Sequence, residues 1–411
     1  MSHEHPPTHA DMRAGLRAEL AEIEAIGRLR RRPVIDSPDG RVIQLRDGGQ
    51  RLKLVNWASN DYLGNANRLQ VKNAASRALR RFGAGAGAAR LLAGGLAVHR
   101  QLEQRLAKWL GTADALVTTT GFQANLAAVV ALTSDPEDVV ILDRLCHAST
   151  YDGARLATGT LLRFRHNDVE DLAKQLERTA GARRRIVCVE SIYSMDGDEA
   201  PLAAIAALCR ERGALLVVDE AHALGVLGAG GRGLCAELGV VPDLLVGTCS
   251  KTFGSQGGFL AGDAELVELA VNRGRSFIYS TAPVPAAMGA ALGALELLEK
   301  HPEWPAELVA RAVALRTALR TAGWEVPEGR SPIIPLVVGA EADALALAAR
   351  LRAAGHYAPA IRPPTVPEGS CRLRITLTLA HTEADRRRLA VALAALRPAV
   401  MPSTQAPSAG S

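Results

Sequence analysis

The sequence predicts an α/β protein: a large domain built on a mostly parallel, doubly wound central sheet, a smaller α+β domain C-terminal to it, and a helical segment in front. Three observations predict this. Between about residues 110 and 262, short apolar runs alternate with stretches of helical period. The runs are almost continuously apolar, as parallel strands buried on both faces must be. After about residue 296 helical stretches dominate, with two separate strand-like runs among them.

Taken in order, residues 1–11 read as disordered and 12–31 as an amphipathic, charged helix. The strands of the central sheet are "DALVTTT" (114–120), "DVVILD" (138–143), "RIVCVE" (185–190), "ALLVVDE" (214–220) and "DLLVGT" (243–248). Helical segments such as "LAAIAALCRERG" (202–213) connect them, which is the βαβ pattern. "IIPLVVG" (333–339) and "CRLRITLT" (371–378) are the strands of the smaller unit, and "MPSTQAPSAGS" (401–411) is a polar, disordered tail. The division expected is therefore an N-terminal segment 1–58, a large domain 59–295, a small domain 296–400 and a tail 401–411.

Composition narrows the class. Hydrophobic content of 48% with 22% charged residues is that of a soluble globular protein, and a net charge of +5 is small over 411 residues. Basic runs such as 29–33 and 182–186 flank apolar segments and read as solvated faces; with aromatics at 4%, stacking on nucleic acid is disfavoured. Six cysteines, at 146, 188, 209, 235, 249 and 371, have no metal-ligand spacing and suggest reduced thiols in the cytoplasm. The first 20 residues lack the apolar core of a signal peptide, and the long uncharged stretch 116–133 is interrupted by Gly121, Gln123 and Asn125, so no membrane span is expected.

In open α/β sheets ligands bind beyond the carboxyl ends of the strands. Gly121 and Phe122 follow the first run and open a helix whose N–H groups could hold a phosphate. His147 follows the second run, Ser194 the third, Asp219 and His222 the fourth, and Thr248, Ser250 and Lys251 the fifth. Lysine is scarce here, at six of the 48 basic residues, and unlike arginine a desolvated lysine can lose its proton and act as a nucleophile. Singly, each histidine could be an ordinary loop residue and Asp219 a helix cap. Together they supply what pyridoxal 5′-phosphate requires: an amine for its aldehyde, a carboxylate for its ring nitrogen, donors for its phosphate and a planar group over its face. "GAGAGAARLLAGG" (83–95) partly mimics a dinucleotide fingerprint, the mark of a nicotinamide-dependent oxidoreductase. It follows a helical stretch and not a strand, which is the wrong context.

These residues sit in stretches that resemble the α-oxoamine synthase family of fold-type I pyridoxal-phosphate enzymes. The stretches are "SNDYLG" (59–64), "TTTGFQAN" (118–125), "DRLCHAS" (143–149), "FRHND" (164–168), "SIYSMDGDEAPL" (191–202), "VDEAH" (218–222), "TCSKTFG" (248–254), "IYSTAPVP" (278–285) and "IRPPTVPEGSCRLRITLTLAH" (361–381). The resemblance implies that Lys251 forms the imine with the cofactor and moves the substrate Cα proton. It implies further that Asp219 pairs with the pyridine nitrogen, His222 bonds the ring oxygen and His147 stacks on the ring. Gly121, Phe122 and Thr248 would hold the phosphate, joined by Thr281 of the neighbouring subunit in a homodimer. Ser194 would contact the ring, Arg362 would take the amino-acid carboxylate, and Thr365, Asn60 and Arg30, from the arginine cluster 28–32, would lie at the substrate. Glu190 also matches a family position near the site.

The implied reaction, which "IRPPTVP" favours over other members of the family, is a decarboxylative Claisen condensation. L-Alanine and a pimeloyl thioester of coenzyme A or acyl carrier protein would give carbon dioxide and the amino-oxo acid from which biotin is made. A relative using glycine or serine with another acyl-CoA is the alternative. The sequence departs from the family at 83–97, where Ala86, Ala89, Ala93 and Gly95 stand where serines and an aromatic are usual.

Overall fold

The computed structural model describes residues 8–30, 32–38 and 40–397. The described residues fall into two compact units, one within 8–38 and 43–53, the other within 40–42 and 54–397. In the first, a helix runs from His9 to Ala25. It starts earlier than the expected residue 12 because Thr8 and Asp11 form a capping box, each side chain taking the other's backbone N–H. Of the stretch expected to be disordered, residues 8–11 are thus the cap and first turn, and residues 1–7 lie outside the described residues, as does the expected tail 401–411. The helix ends at Ala25, short of residue 31, and none of its residues is buried. Strand β1 (Val34–Pro38) pairs antiparallel with β2 (Val42–Asp47), which turns into β3 (Gln50–Asn56) through Gly48 and Gly49. Both glycines have positive φ, the requirement of a tight hairpin turn.

The second unit holds a seven-stranded sheet: β4 (Asp114–Thr118), β5 (Asp138–Asp143), β6 (Thr160–Phe164), β7 (Arg184–Glu190), β8 (Leu215–Asp219), β9 (Leu244–Thr248) and β10 (Gly258–Gly262). The order is β4-β10-β9-β8-β7-β5-β6. Neighbours from β9 to β6 are parallel, and β10 is antiparallel to both β4 and β9. The five expected strands are all present. Strands β6 and β10 were not foreseen, because an edge strand with little burial and a short run between glycines carry weak periodicity. Successive residues of the buried strands feed two separate cores. Val139, Ile141, Val187, Val189, Leu216 and Val218 pack on one face, whereas Val140, Leu142, Ile186, Cys188 and Val217 pack on the other. Burial on both faces is why these runs lack polar alternation.

The C-terminal region forms a three-stranded sheet. Strand β14 (Cys371–Thr376) lies between β11 (Ile333–Gly339) and β13 (Ala360–Ile361), while β12 (His356–Tyr357) pairs with Val55 and Asn56. Every residue of β14 is buried, including Arg372 and Arg374. Buried guanidinium groups need partners. Arg372 donates to the Asp196 carboxylate; Arg374 donates to the Ser194 carbonyl at 2.6 Å and to Asn60 Oδ1 at 3.1 Å. The segment 194–198 that they hold is also gripped by His166 and Asn167. His166 bridges Asp143 (3.0 Å) and Asp198 (2.8 Å), and Asn167, at φ +55°, donates its side-chain amide to Asp198 and its backbone N–H to Asp143.

Burial alone would lower the pKa of His166, but the hydrogen bonds and charges of Asp143 and Asp198 override it and raise it to about 10. A folded pKa above the unfolded value of 6.5 stabilises fully below pH 6.5, and the contribution fades as pH climbs through about 10. His166→Gln should therefore lower the melting temperature most near pH 6 and progressively less toward pH 10. Parallel melting curves of the two proteins across that range check this; a constant difference would refute the charged bridge.

Candidate active site

Four parallel strands end side by side, and the residues that follow converge. In the ladder Glu190 of β7 is opposite Asp219 of β8, and Asp219 is opposite Val246 of β9. Thr120, Gly121, Phe122, Asn125, His147, Ser149, Glu190, Asp219, His222, Thr248, Ser250 and Lys251 line one cavity of about 220 Å³.

Each wall has a local cause. The helix Gly121–Leu132 is capped by Thr120, whose hydroxyl accepts from the Gln123 N–H. The first N–H groups, those of Gly121 and Phe122, have no carbonyl of their own turn to bond and face the cavity at the positive end of the helix dipole. Strand β10 runs so close here that a Cβ at Gly258 would sit 2.4 Å from the Thr120 carbonyl oxygen. Glycine is therefore required. Lys251 lies in a tight loop after β9, where Cys249 donates to Gly257 and Ser255 donates to Cys249. The loop is braced by Thr252, which donates to the Leu224 carbonyl at 2.7 Å, and by Asn65, which donates to the Thr252 carbonyl at 2.8 Å.

Asp219 is held by both oxygens. Ala221 N–H donates to Oδ1 at 2.8 Å and the Asn125 amide to Oδ2 at 2.7 Å. Asn125 also donates to Ser149 Oγ at 3.0 Å, and Ser149 contacts His147 Nδ1 through its hydroxyl (2.7 Å) and its backbone N–H (3.2 Å). A backbone N–H can only donate, so His147 Nδ1 is an acceptor and the neutral ring carries its proton on Nε2. Glu190 accepts the His147 N–H at 2.5 Å.

The electrostatics follow from burial. Loss of water lowers the Lys251 pKa to about 8, even though Asp219 and Glu190 oppose the shift. Burial, then the charges of Lys251, Arg374 and His147, holds His222 well below its ordinary value. Burial and the Asp219 charge push Glu190 well above the usual carboxylate range. Near neutral pH the cavity thus offers an amine that readily gives up its proton and a neutral His222.

Of the residues foreseen, Gly121, Phe122, His147, Asp219, His222, Thr248 and Lys251 come together in this cavity. The Thr248 hydroxyl is engaged by Gly257 and Ser250. Ser194 and Thr365 instead line a larger adjoining cavity of about 1040 Å³, which shares His147 and includes Arg144, Tyr193 and Pro363. Asn60 meets Arg374. Arg362 donates to the Glu341 carboxylate at 2.7 Å. Thr281 is exposed and takes part through its backbone, opposite Ala89 and accepting from Thr119. Arg30 is exposed in the first unit. Sequence reading missed Asn125, Ser149, Tyr62 and Arg374 as members of this network. Asn125, one helical turn after Gly121, was the one with a usable signal: an amide among the alanines, leucines and valines of a largely apolar helix.

The fold and this site define a transferase of fold type I. The chain matches the aminotransferase class I and II family over residues 53–393. It is 47% identical over 388 residues to an 8-amino-7-oxononanoate synthase of Anaeromyxobacter dehalogenans (strain 2CP-1 / ATCC BAA-258), covering 94% of this chain and 96% of the relative. It is 42% identical over 389 residues to one of Geobacter sulfurreducens, covering 93% and 98%. Among solved structures, a Sphingomonas wittichii serine palmitoyltransferase superposes with a TM-score of 0.88 at 32% identity, covering 96% and 99%. A serine palmitoyltransferase from S. paucimobilis, solved with a bound PLP–myriocin aldimine, gives 0.88 at 30% identity over the same shares. The chain belongs to the aminotransferase class I and II family and, within it, to the family of the 8-amino-7-oxononanoate synthases.

Asn125→Leu removes the donor to Asp219 Oδ2 while keeping the branched outline and the number of side-chain heavy atoms. Leaving a buried charge one partner short costs about 1–3 kcal/mol, and chemical denaturation should show a loss of that size. An unchanged midpoint would mean that Asn125 does not support Asp219.

Proposed function

We propose that this protein uses pyridoxal 5′-phosphate to condense L-alanine with a pimeloyl thioester, releasing coenzyme A or acyl carrier protein and carbon dioxide and yielding 8-amino-7-oxononanoate for biotin synthesis. The observation that carries the reading is the single cavity in which Lys251, Asp219, His147, His222 and a helix N-terminus face one another. Identity of 42–47% to relatives named for this product, against 30–32% to the serine palmitoyltransferases, supports alanine and a pimeloyl chain over serine and a longer one.

The residues fit the cofactor. Lys251 would hold its aldehyde carbon, and Asp219, fixed by Asn125 and Ala221, would keep the pyridine nitrogen protonated. The Gly121 and Phe122 N–H groups, with the hydroxyls of Thr248 and Ser250, would take the phosphate in the cradle that Gly258 leaves open. His147 would cover one ring face, and His222 would bond the ring oxygen. Bound there, the cofactor supplies an electron sink for a carbanion at the amino-acid Cα.

The chain's own groups do the rest. Lys251, whose pKa of about 8 leaves a useful neutral fraction near pH 7, takes the Cα proton and later returns one. The new Cα–acyl bond forms as the thiolate leaves, and the alanine carboxylate departs as carbon dioxide. Arg362 remains the proposed holder of that carboxylate until it leaves. Arg374 is a second candidate, because its charge acts on Lys251, His222 and Tyr62. The adjoining cavity, with Ser194 and Thr365, would admit the acyl chain past His147, with Asn60 and Arg30 at the substrate.

We further propose a homodimer in which Thr281 reaches the partner's phosphate. Exposed apolar residues Met12, Leu16, Leu20 and Ile23 on one helix, and Leu91, Leu92 and Tyr279 elsewhere, support a surface that is covered in the working protein. The division into a large domain 59–295 and a small domain 296–400, and a cytoplasmic location, belong to the same proposal; among the described residues no helix is long and apolar enough to cross a membrane.

Borohydride treatment of the loaded protein should fix the cofactor on Lys251, as peptide mass mapping reads. Attachment at any other lysine refutes the site. Capture of the cofactor by the apo-protein needs the neutral amine, so its rate should rise about tenfold per pH unit below 8 and level off above it. For the carboxylate, loss of alanine affinity in a spectral titration should fall on Arg362→Ala; if Arg374→Ala alone loses it, the role passes to Arg374. Turnover with alanine, glycine and serine against a set of acyl thioesters decides the substrates.

A further inference from the structure

We propose that Tyr62 is a positioning residue, its hydroxyl donating to His222 Nδ1 and so fixing the His222 imidazole as the Nε2–H tautomer with that N–H directed into the cavity. The proposal rests on the functional reading above, in which His222 bonds the cofactor, and names what sets the direction of that bond.

Tyr62 lies in "SNDYLG", of which the functional reading uses only Asn60. It is fully buried, and its backbone is fastened at both ends: its N–H donates to the Asn60 carbonyl and its carbonyl accepts from Leu379, each at 2.8 Å. The side chain therefore has little freedom. Its Oη lies 2.5 Å from His222 Nδ1, with the rings tilted by 56°. His222 itself is buried and lines the cavity, so with Nδ1 occupied by Tyr62 the nitrogen left for the cavity is Nε2.

The direction of the bond follows from what surrounds the phenol. Arg374 lies beside the Tyr62 hydroxyl, and a guanidinium has five donors and no acceptor. The phenol proton cannot be given to Arg374. Arg374 can only donate to this oxygen, and His222 Nδ1, at hydrogen-bond distance, is the acceptor the phenol proton meets. Were Nδ1 to donate instead, the phenol proton would be buried without an acceptor. The phenol stays protonated, since burial pushes its pKa up to about 12 against the opposing Arg374 charge. The charged and titratable groups facing His222 are Lys251 from the loop after β9, Arg374 from β14 and His147 from the loop after β5; with burial, all three favour the neutral ring. A neutral ring whose Nδ1 accepts must carry its proton on Nε2. Together with His147, whose Nδ1 accepts a backbone N–H, the cavity then has two imidazoles in the same tautomeric form.

The test is nitrogen NMR of apo-protein labelled with ¹⁵N-histidine, with the His222 signal assigned by its loss in His222→Gln. The expected result is a pyridine-like Nδ1 and a pyrrole-like Nε2 that do not titrate between pH 6 and 9. A pyrrole-like Nδ1, or an imidazolium in that range, overturns the proposal, and the wild-type protein alone decides it. In Tyr62→Phe the two His222 nitrogen shifts should move toward each other as the tautomers mix, while the His147 signals stay put; His222 shifts unchanged in a folded variant would also overturn it. The measurement needs neither cofactor nor substrate. Failure of the condensation assay would leave the tautomer result standing, and the reverse holds too.

Discussion

The rest of the site depends on placing the Lys251 amine in a region poor in water. An isolated ammonium there would be costly, and the protein answers with the Asp219 and Glu190 carboxylates from two adjacent strands. Neither is left loose. Both Asp219 oxygens accept strong donors, and Glu190 accepts the backbone N–H of His147. The balance is incomplete: Asp219 and Glu190 oppose the desolvation without cancelling it, so burial still lowers the pKa of the amine to about 8.

That arrangement needs four strands to end in register and three loops to be held without regular structure. The sheet provides the first: its parallel ladder sets Glu190 opposite Asp219 and Asp219 opposite Val246. The second is achieved by buried polar side chains. Arg372 and Arg374 reach from β14 to the loop 194–198, and His166 and Asn167 grip the same loop. "SNDYLG" does likewise for the lysine loop. Asp61 accepts the Asn65 and Ala66 N–H groups, and Asn65 then holds Thr252. Removing water from these groups makes their hydrogen bonds stronger and their loss more damaging.

The two cavities share His147, which places a planar ring between a small, charge-dense chamber and a roomier one with aromatic, proline and arginine walls. This division matches a reaction whose small reactant is an amino acid and whose larger one is a flexible thioester.

The sequence by itself determined the class of the fold and which side chains gather at the strand ends. Unbroken apolar runs require a sheet covered on both sides, and the residues just after each run, His147, Asp219, His222 and Lys251, must fall on one edge of that sheet. Strands β6 and β10 escaped because pairing at an edge and a glycine-bounded reversal leave little trace in local periodicity. Asn125 and Ser149 lie in the family stretches 118–125 and 143–149, but their linking of Asp219 to His147 leaves no trace there, since a hydrogen bond between separate elements has no sequence spacing. Only the tertiary structure could bring Arg374 to Asn60 and Ser194, 314 and 180 positions away, and seat Arg362 against Glu341. The partner each of these arginines takes is decided by the folded neighbours that burial forces its charge to find, and no sequence spacing encodes it.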